Sequence, residues 1–247
     1  MQHALFCGKG NSMHYKRVML KLSGEALGAD GWLFDQEKID LVAAQLCHVS
    51  NAGIELGVVI GGGNIWRGRK GTAEGMDAVT ADQMGMLATV LNCLSMKDAI
   101  IRAGCKARVM SAIDMPRVCD FYRADTALEY LQSGHIMLFA GGLGNPFFTT
   151  DTAVVVRALE IHADALLLAK NVDGVYTADP NQDKNAELIK DISYSEALRR
   201  GLRVMDTSAF AMCADHRLPR VRVFALSEPA NILKVLRGDD MGTLLHP

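Results

Sequence analysis

The chain alternates short apolar runs with longer stretches whose apolar residues recur every three or four positions. The short runs, at residues 17–22, 54–60, 107–112, 135–140, 164–169 and 221–225, have the length and apolar content of buried β-strands. Helical spacing fills the intervals at 35–51, about 81–103, 121–132 and 152–162, and shorter helices are expected near 193–200, 206–214 and 231–237. In the first of these helices Ile39, Val42, Ala43, Leu46 and Val49 share a face, with Asp35 placed to cap its start and Gly53 beyond its end. Strands alternating with crossover-length helices predict an α/β fold: a largely parallel open sheet with helices on both faces. Such sheets bind ligands at the carboxyl ends of their strands.

Four strand ends carry the unusual residues. The fourth strand runs into Gly144-Asn145-Pro146-Phe147-Phe148-Thr149-Thr150-Asp151, and a helix follows. A glycine-containing strand-to-helix junction presents free backbone N–H groups that suit a phosphate. The same stretch also fits an ordinary capped turn with Thr150 or Asp151 as the cap, and the residues alone leave both readings open. Lys21-Leu22-Ser23-Gly24 ends the first strand with a cation that is either solvated or paired with an anion. Gly61-Gly62-Gly63-Asn64 is either a tight turn or a loop whose N–H groups approach a ligand closely. Arg67 follows within reach, able to grip phosphate oxygens in a bidentate fashion. The fourth loop, 170–179, is polar. The chain has no GxxxxGK[ST] motif, and no GxGxxG with an acidic residue at dinucleotide spacing. Cations and glycine loops without a P-loop suit phosphoryl transfer, which asks of a protein mainly positioning and charge neutralisation.

A net charge of −2 over 247 residues gives no electrostatic case for a nucleic-acid or membrane partner. No apolar stretch approaches the roughly 18 residues of a membrane span, and no signal-peptide core is visible, so a cytoplasmic location is expected. Cysteines 7, 47, 93, 105, 119 and 213 form no CxxC pair, and the seven histidines form no HxxxH or HExxH pair. Reduced cysteines and no protein-held metal are therefore expected. Residues 1–14 read as a disordered extension, with Met13 a candidate start, and 15–247 as one domain without an internal linker.

Seven stretches run in order along this domain: KLSGEAL at 21–27, GVVIGGGNIWRG at 57–68, ADQMGMLATVLN at 81–92, MSAIDM at 110–115, GNPFFTTD at 144–151, VDGVYTADP at 172–180, and VMD followed by DHRLP at 204–219. In them the chain resembles the bacterial-type uridylate (UMP) kinases of the amino-acid kinase superfamily. The resemblance implies that superfamily's three-layer sandwich, with a UMP-binding N-terminal half and an ATP-binding half at about 163–247. It implies transfer of the γ-phosphoryl group of ATP to UMP, with Mg²⁺ carried on the ATP phosphates. Lys21 would stabilise the transferring group, with Leu22, Ser23 and Gly24 in the same phosphate cradle. Gly62 would contact UMP, Gly63 ATP, and Arg67 the phosphates, while Asp82 would accept the UMP ribose hydroxyls or cap its helix, or both. Leu143, Gly144, Asn145, Pro146, Phe147, Phe148, Thr149 and Thr150 would wrap the monophosphate, the two rings walling the site. Asp151 would hold Lys21 in place rather than accept a proton. On the ATP side stand Lys170 or Asn171, Tyr176 to pack on adenine, and Asp179 for the ribose or base edge.

The resemblance also implies a homo-oligomer, hexameric in the family, and UTP as a feedback ligand. The helix face of Met84, Leu87, Leu91 and Leu94 is either core or interface. Leu143 stands where the family usually has Thr, which removes a side-chain hydrogen bond and leaves backbone contacts. The loop after the fifth strand is one residue shorter than in some relatives, which keeps both Lys170 and Asn171 in play. The loop 28–34 is shortened, and the family's GTP-binding residues have no clear match near Lys97, Ile101, Ala124 and His135, so GTP activation is not expected. Two other readings compete: a superfamily kinase acting on a carboxylate or carbamate, and a nucleotide-binding storage or regulatory protein on the same fold. GNPFFTTD and ADQMGMLATV oppose the first, and Lys21, Arg67 and Asp151 oppose the second.

Overall fold

The computed structural model describes residues 15–29, 32–180, 182–202 and 205–247. The expectation for residues 1–14, and Val204 of the VMD stretch, lie outside the described residues. In chain order the first half comprises β1 (Arg17–Leu22), a 3₁₀ turn (Gly24–Leu27), α1 (Gln36–Asn51), β2 (Glu55–Ile60), α2 (Gly68–Ala73), α3 (Ala78–Arg102), β3 (Lys106–Ser111), β4 (Asp120–Phe121), α4 (Ala124–Gln132), β5 (His135–Ala140) and α5 (Thr150–Glu160). The second half comprises β6 (Ala165–Lys170), β7 (Val175–Tyr176), β8 (Leu188–Ile189), β9 (Asp191–Ser193), α6 (Tyr194–Arg199), α7 (Thr207–Asp215), β10 (Val221–Ala225), α8 (Asn231–Leu236) and β11 (Thr243–His246).

The main sheet runs β4-β3-β5-β2-β1-β6-β10-β11-β9, and β7 and β8 form a separate hairpin. Every neighbouring pair in the main sheet is parallel except β10 with β11. The six strands expected from the apolar runs are all present and carry the largely parallel sheet. What periodicity missed is short: β4, β9, β11, the hairpin and the six-residue α2.

Alternation along β1 assigns its faces. Val18, Leu20 and Leu22 pack with residues of α1, α3 and α8, while Met19 packs with Val154, Val155 and Ala158 of α5. Lys21, two residues after Met19, therefore leaves the sheet on the α5 side.

Three helix starts differ from expectation. Helix α4 begins at Ala124 rather than at 121, because Phe121 belongs to β4 and pairs with Ser111 of β3. Helix α3 begins at Ala78, capped by Asp77, whose carboxylate accepts the Thr80 N–H at 3.0 Å. Asp82 therefore lies inside the helix and is not its cap. Helix α5 begins at Thr150, and its cap is Thr149, not Thr150 or Asp151. Helix α3 also corrects the expectation about membrane spans, since its 25 residues are long and apolar enough by length and composition. Its face of Ala88, Cys93, Met96 and Ile100 is buried, as in a core helix lying on a sheet. No disulfide joins the described cysteines. Burial pushes the Cys93 and Cys213 thiols up to about 12, so both stay protonated near neutral pH.

Candidate active site

The carboxyl ends of β1, β2, β5 and β6 converge, and the chemistry begins with one ion pair. Lys21 Nζ lies 2.6 Å from Asp151 Oδ1, the two side chains being only 16% and 17% exposed. Asp151 sits in the first turn of α5, where the helix dipole favours a carboxylate. Lys170 ends β6 on the same face, because Lys21 pairs with Leu168 in the register and Lys170 is two residues on. Burial pushes the Lys170 ammonium below its usual range, with Asp151 opposing the shift and Lys21 adding to it. Lys21, Asp151 and Lys170 thus form one charged cluster.

Thr149 fixes the approach of α5. Its hydroxyl oxygen accepts from the Asp151 and Thr152 N–H groups at 3.0 and 3.3 Å. The same hydroxyl donates to the Asp206 carboxylate, to which Thr152 Oγ1 also donates at 3.0 Å. Burial works to raise the Asp206 pKa, but the bonds from Thr149, the Ala209 N–H and Thr152 outweigh it and hold the carboxyl below the usual range. Asp206 received no role from the sequence, although it closes the matching VMD stretch and caps α7.

The glycine loops interlock. A Cβ on Gly24 would come within 2.3 Å of the Gly61 carbonyl oxygen, so the turn after β1 can seat on the β2 loop only as glycine. A Cβ on Gly62 would meet Ala88 Cβ and the Gly85 carbonyl of α3, each at 2.9 Å, whereas that of Gly63 faces open space. Fully buried Asn92 ties this junction together, donating to the Gly61 carbonyl at 2.7 Å and exchanging amide bonds of 2.8 and 3.1 Å with Asn64. No role for Asn92 is legible in the sequence, since an Asn on an apolar helix carries no motif, and Asn64 stands out there only as the end of the glycine loop.

Beside this junction lies a cleft lined by Gly62, Trp66, Asp82, Gly85, Met86, Thr89, Gly142, Phe148, Thr149 and Thr150. Asp82 Oδ2 accepts the Phe147 N–H at 2.7 Å, which pins the octapeptide to α3. Phe147 adopts φ +70°, a left-handed conformation uncommon for a bulky residue and frequent at ligand clamps. Thr89 Oγ1 donates to the Met86 carbonyl at 2.6 Å and accepts the Gly141 N–H at 2.8 Å. Of the two rings expected to wall the site, Phe148 lines the cleft, while Phe147 is 74% exposed and lies outside its lining. Gly144 follows in a tight turn onto the Gly141 carbonyl. Leu143, Asn145 and Pro146 continue the same loop without lining the cleft.

A second cavity lies beyond β6, between β7 with its flanking residues and residues 200–202. Tyr176 and Asp179 line it, and the Tyr176 hydroxyl donates to Asp173 Oδ1 at 2.7 Å. That bond raises the Tyr176 pKa. Asn171 lies elsewhere, donating to Glu25 Oε2 at 2.9 Å, and Arg67 pairs with the other oxygen of Glu25. Along the chain, Asp151 follows the cleft residues Thr149 and Thr150, and Lys170 lies two residues before the cavity residue Val172.

This arrangement matches known proteins along almost its whole length. The amino acid kinase family model matches residues 16–225. The chain belongs to that family. Among solved structures, UMP kinase from Bacillus anthracis is 37% identical with a TM-score of 0.90, over 94% of this chain and 96% of that one. UMP kinase from Ureaplasma parvum is 33% identical with a TM-score of 0.89, over 95% and 100%. Uridylate kinase from Archaeoglobus fulgidus is 28% identical with a TM-score of 0.71, over 92% and 99%. The resemblance read from the seven stretches therefore extends over nearly the whole chain, and the doubly covered sheet is the family's sandwich.

Proposed function

We propose that the protein is a UMP kinase, transferring the γ-phosphoryl group of ATP to UMP to give UDP and ADP in pyrimidine nucleotide synthesis. The observation that carries this reading is the Lys21–Asp151 pair, which joins the end of β1 to the first turn of α5 directly after the cleft residues Thr149 and Thr150. UMP occupies the cleft against Gly62, Asp82 and the 143–150 loop. ATP occupies the cavity with Tyr176 and Asp179, and its phosphates reach Leu22, Ser23, Gly24, Gly63, Arg67, Lys170 and Asn171.

An oxygen of the UMP phosphate attacks the γ-phosphorus while the bond from that phosphorus to the ADP oxygen breaks. The attacking oxygen is already ionised near neutral pH, so no general base is required. Asp151, engaged by Lys21, acts as an organiser. Lys21 and Lys170 stabilise the charge that spreads over the transferring group. Among the described residues no cluster of three or more His, Cys, Asp or Glu stands ready to hold a metal unaided. That donor set fits a Mg²⁺ held mainly by ATP phosphate oxygens, where it would supply charge neutralisation.

The hydroxyl of Thr149 is committed to the α5 cap and Asp206, which leaves Thr150 the better placed of the two for the acceptor phosphate. The exposed apolar residues Met84, Leu87 and Leu91 of α3, with Val118 and Phe121, support a homo-oligomer, hexameric as in the family, working in the cytoplasm. A panel of nucleoside monophosphates with ATP and Mg²⁺, read by ADP release, tests the substrate assignment. UMP is expected to be the preferred acceptor. Preference for another monophosphate, or for a carboxylate or carbamate, would overturn it, and nucleotide binding without UDP formation would favour the storage or regulatory reading.

A further inference from the structure

Glu25 has no part in the reaction as described, yet its carboxylate joins two loops that face the donor nucleotide. It lies in the 3₁₀ turn directly after β1, and β1 is flanked in the sheet by β2 and β6. Arg67 comes from the loop after β2 and Asn171 from the loop after β6. Glu25 Oε1 accepts from Arg67 Nη2, and Glu25 Oε2 accepts from Asn171 Nδ2 at 2.9 Å. One carboxylate on the central strand's loop therefore bridges the loops of both neighbouring strands.

The geometry leaves both partners usable. Arg67 Nε donates to the Gly63 carbonyl at 3.3 Å, so Glu25 and Gly63 hold the inner edge of the guanidinium. Nη1 is left to face a phosphate. The turn that carries Glu25 is itself anchored, because the Glu25 N–H donates to Ser23 Oγ at 3.4 Å and the Glu25 carbonyl accepts from the Gly28 N–H at 3.4 Å. A long arginine side chain, more than half exposed, would otherwise have to be ordered by the ligand at an entropic cost.

We propose that Glu25 is a positioning residue of the donor site, holding Arg67 and Asn171 in the orientation that receives the ATP phosphates. This rests on the reading of that site as the ATP site, and extends it to a residue that meets no substrate. A glutamine at position 25 keeps the shape, and a flipped Asn171 amide can still bond its Nε2–H, but it removes the carboxylate charge that holds the Arg67 guanidinium.

The test is MgATP binding by titration calorimetry, without acceptor, together with KM for each substrate. Glu25→Gln is expected to weaken MgATP binding about tenfold, raise the ATP KM in parallel, and leave the UMP KM within about twofold. In an Arg67→Met background the same substitution should weaken binding clearly less than in the parent. Unchanged or tighter MgATP binding would overturn the proposal, the latter showing that the carboxylate competes with phosphate for Arg67. An equal rise in both KM values, or an undiminished effect in Arg67→Met, would show a general structural role instead. Normal MgATP binding without UDP formation in the parent protein would count against the acceptor assignment and leave this proposal standing. Failure of the parent to bind MgATP would overturn both.

Discussion

The acceptor cleft and the donor cavity are built to different standards of rigidity. Around the cleft, polar side chains hold each loop: buried Asn92 the Gly61 carbonyl and Asn64, buried Thr89 the Gly141 N–H, and half-buried Asp82 the Phe147 N–H. Buried networks satisfied in this way fix a single arrangement. The donor cavity is the larger and is bounded by β7 of a hairpin of two-residue strands, a size of hairpin with little stability of its own. The lesson is a division of labour. On the proposed assignment the acceptor meets a preformed backbone lattice that can discriminate by shape, while the donor meets a looser surface, with Lys170, Arg67 and Asn171 toward its phosphates.

The largest effect should come from the residue that belongs to neither side. Lys21→Ala removes the cation at the junction and leaves the loops of both cavities in place. Turnover should fall by roughly 10²-fold or more, with the UMP KM nearly unchanged. Steady-state kinetics in both substrates checks this. Turnover within tenfold of the parent would move the transferring group away from Lys21 and place the two cavities' meeting point elsewhere.

An intermediate effect tests the acceptor lattice alone. In Asp82→Asn the side-chain carbonyl can still accept the Phe147 N–H, so the octapeptide stays pinned. What is lost is the second acceptor oxygen and the charge proposed for the ribose hydroxyls. The UMP KM should rise about tenfold, the range expected for losing hydrogen bonds to a charged group, while the ATP KM holds within about twofold. A selective rise in the ATP KM would place Asp82 on the other side of the comparison.

How much of this could be read from the sequence follows the same divide. The six long strands and the main helices were visible because burial on one or both faces imposes a period. The catalytic pair was visible through its motifs, since Lys21 and Asp151 lie in stretches that resemble the family. Asn92, Thr89 and Asp206 lie in matching stretches as well, yet nothing local gave them a role, although they hold the site together. Each does so by contacts spanning 31, 52 or 54 residues of sequence, and such partnerships leave no local pattern. Helix starts were misplaced for a related reason. Asp77 and Thr149 win their caps by backbone conformation, against nearby Asp and Thr residues that look equally suited. The short β4, β9 and β11 pair at the ends of the sheet, too short to show a period of their own.

The smallest effect concerns the seam between the two sides. Asp206 belongs to the donor half, yet its carboxylate receives Thr149 and Thr152 of the acceptor half and caps α7 through the Ala209 N–H at 2.8 Å. Asp206→Ala removes a cap worth about 1 kcal/mol, or about 2–4 °C in Tm for a chain of this size. The carboxyl is held below its ordinary range in the folded protein, so the unfolded chain binds its proton at higher pH than the folded one does. Its charge-linked stabilisation is therefore fully present above the unfolded pKa of about 3.9 and is lost as pH falls through the lower folded value. The Tm difference between parent and Asp206→Ala should be constant from about pH 7 to 5 and shrink below about pH 4. A difference that grows on acidification would mean the carboxylate is destabilised where it sits, and the two halves would then be joined in spite of Asp206 rather than through it.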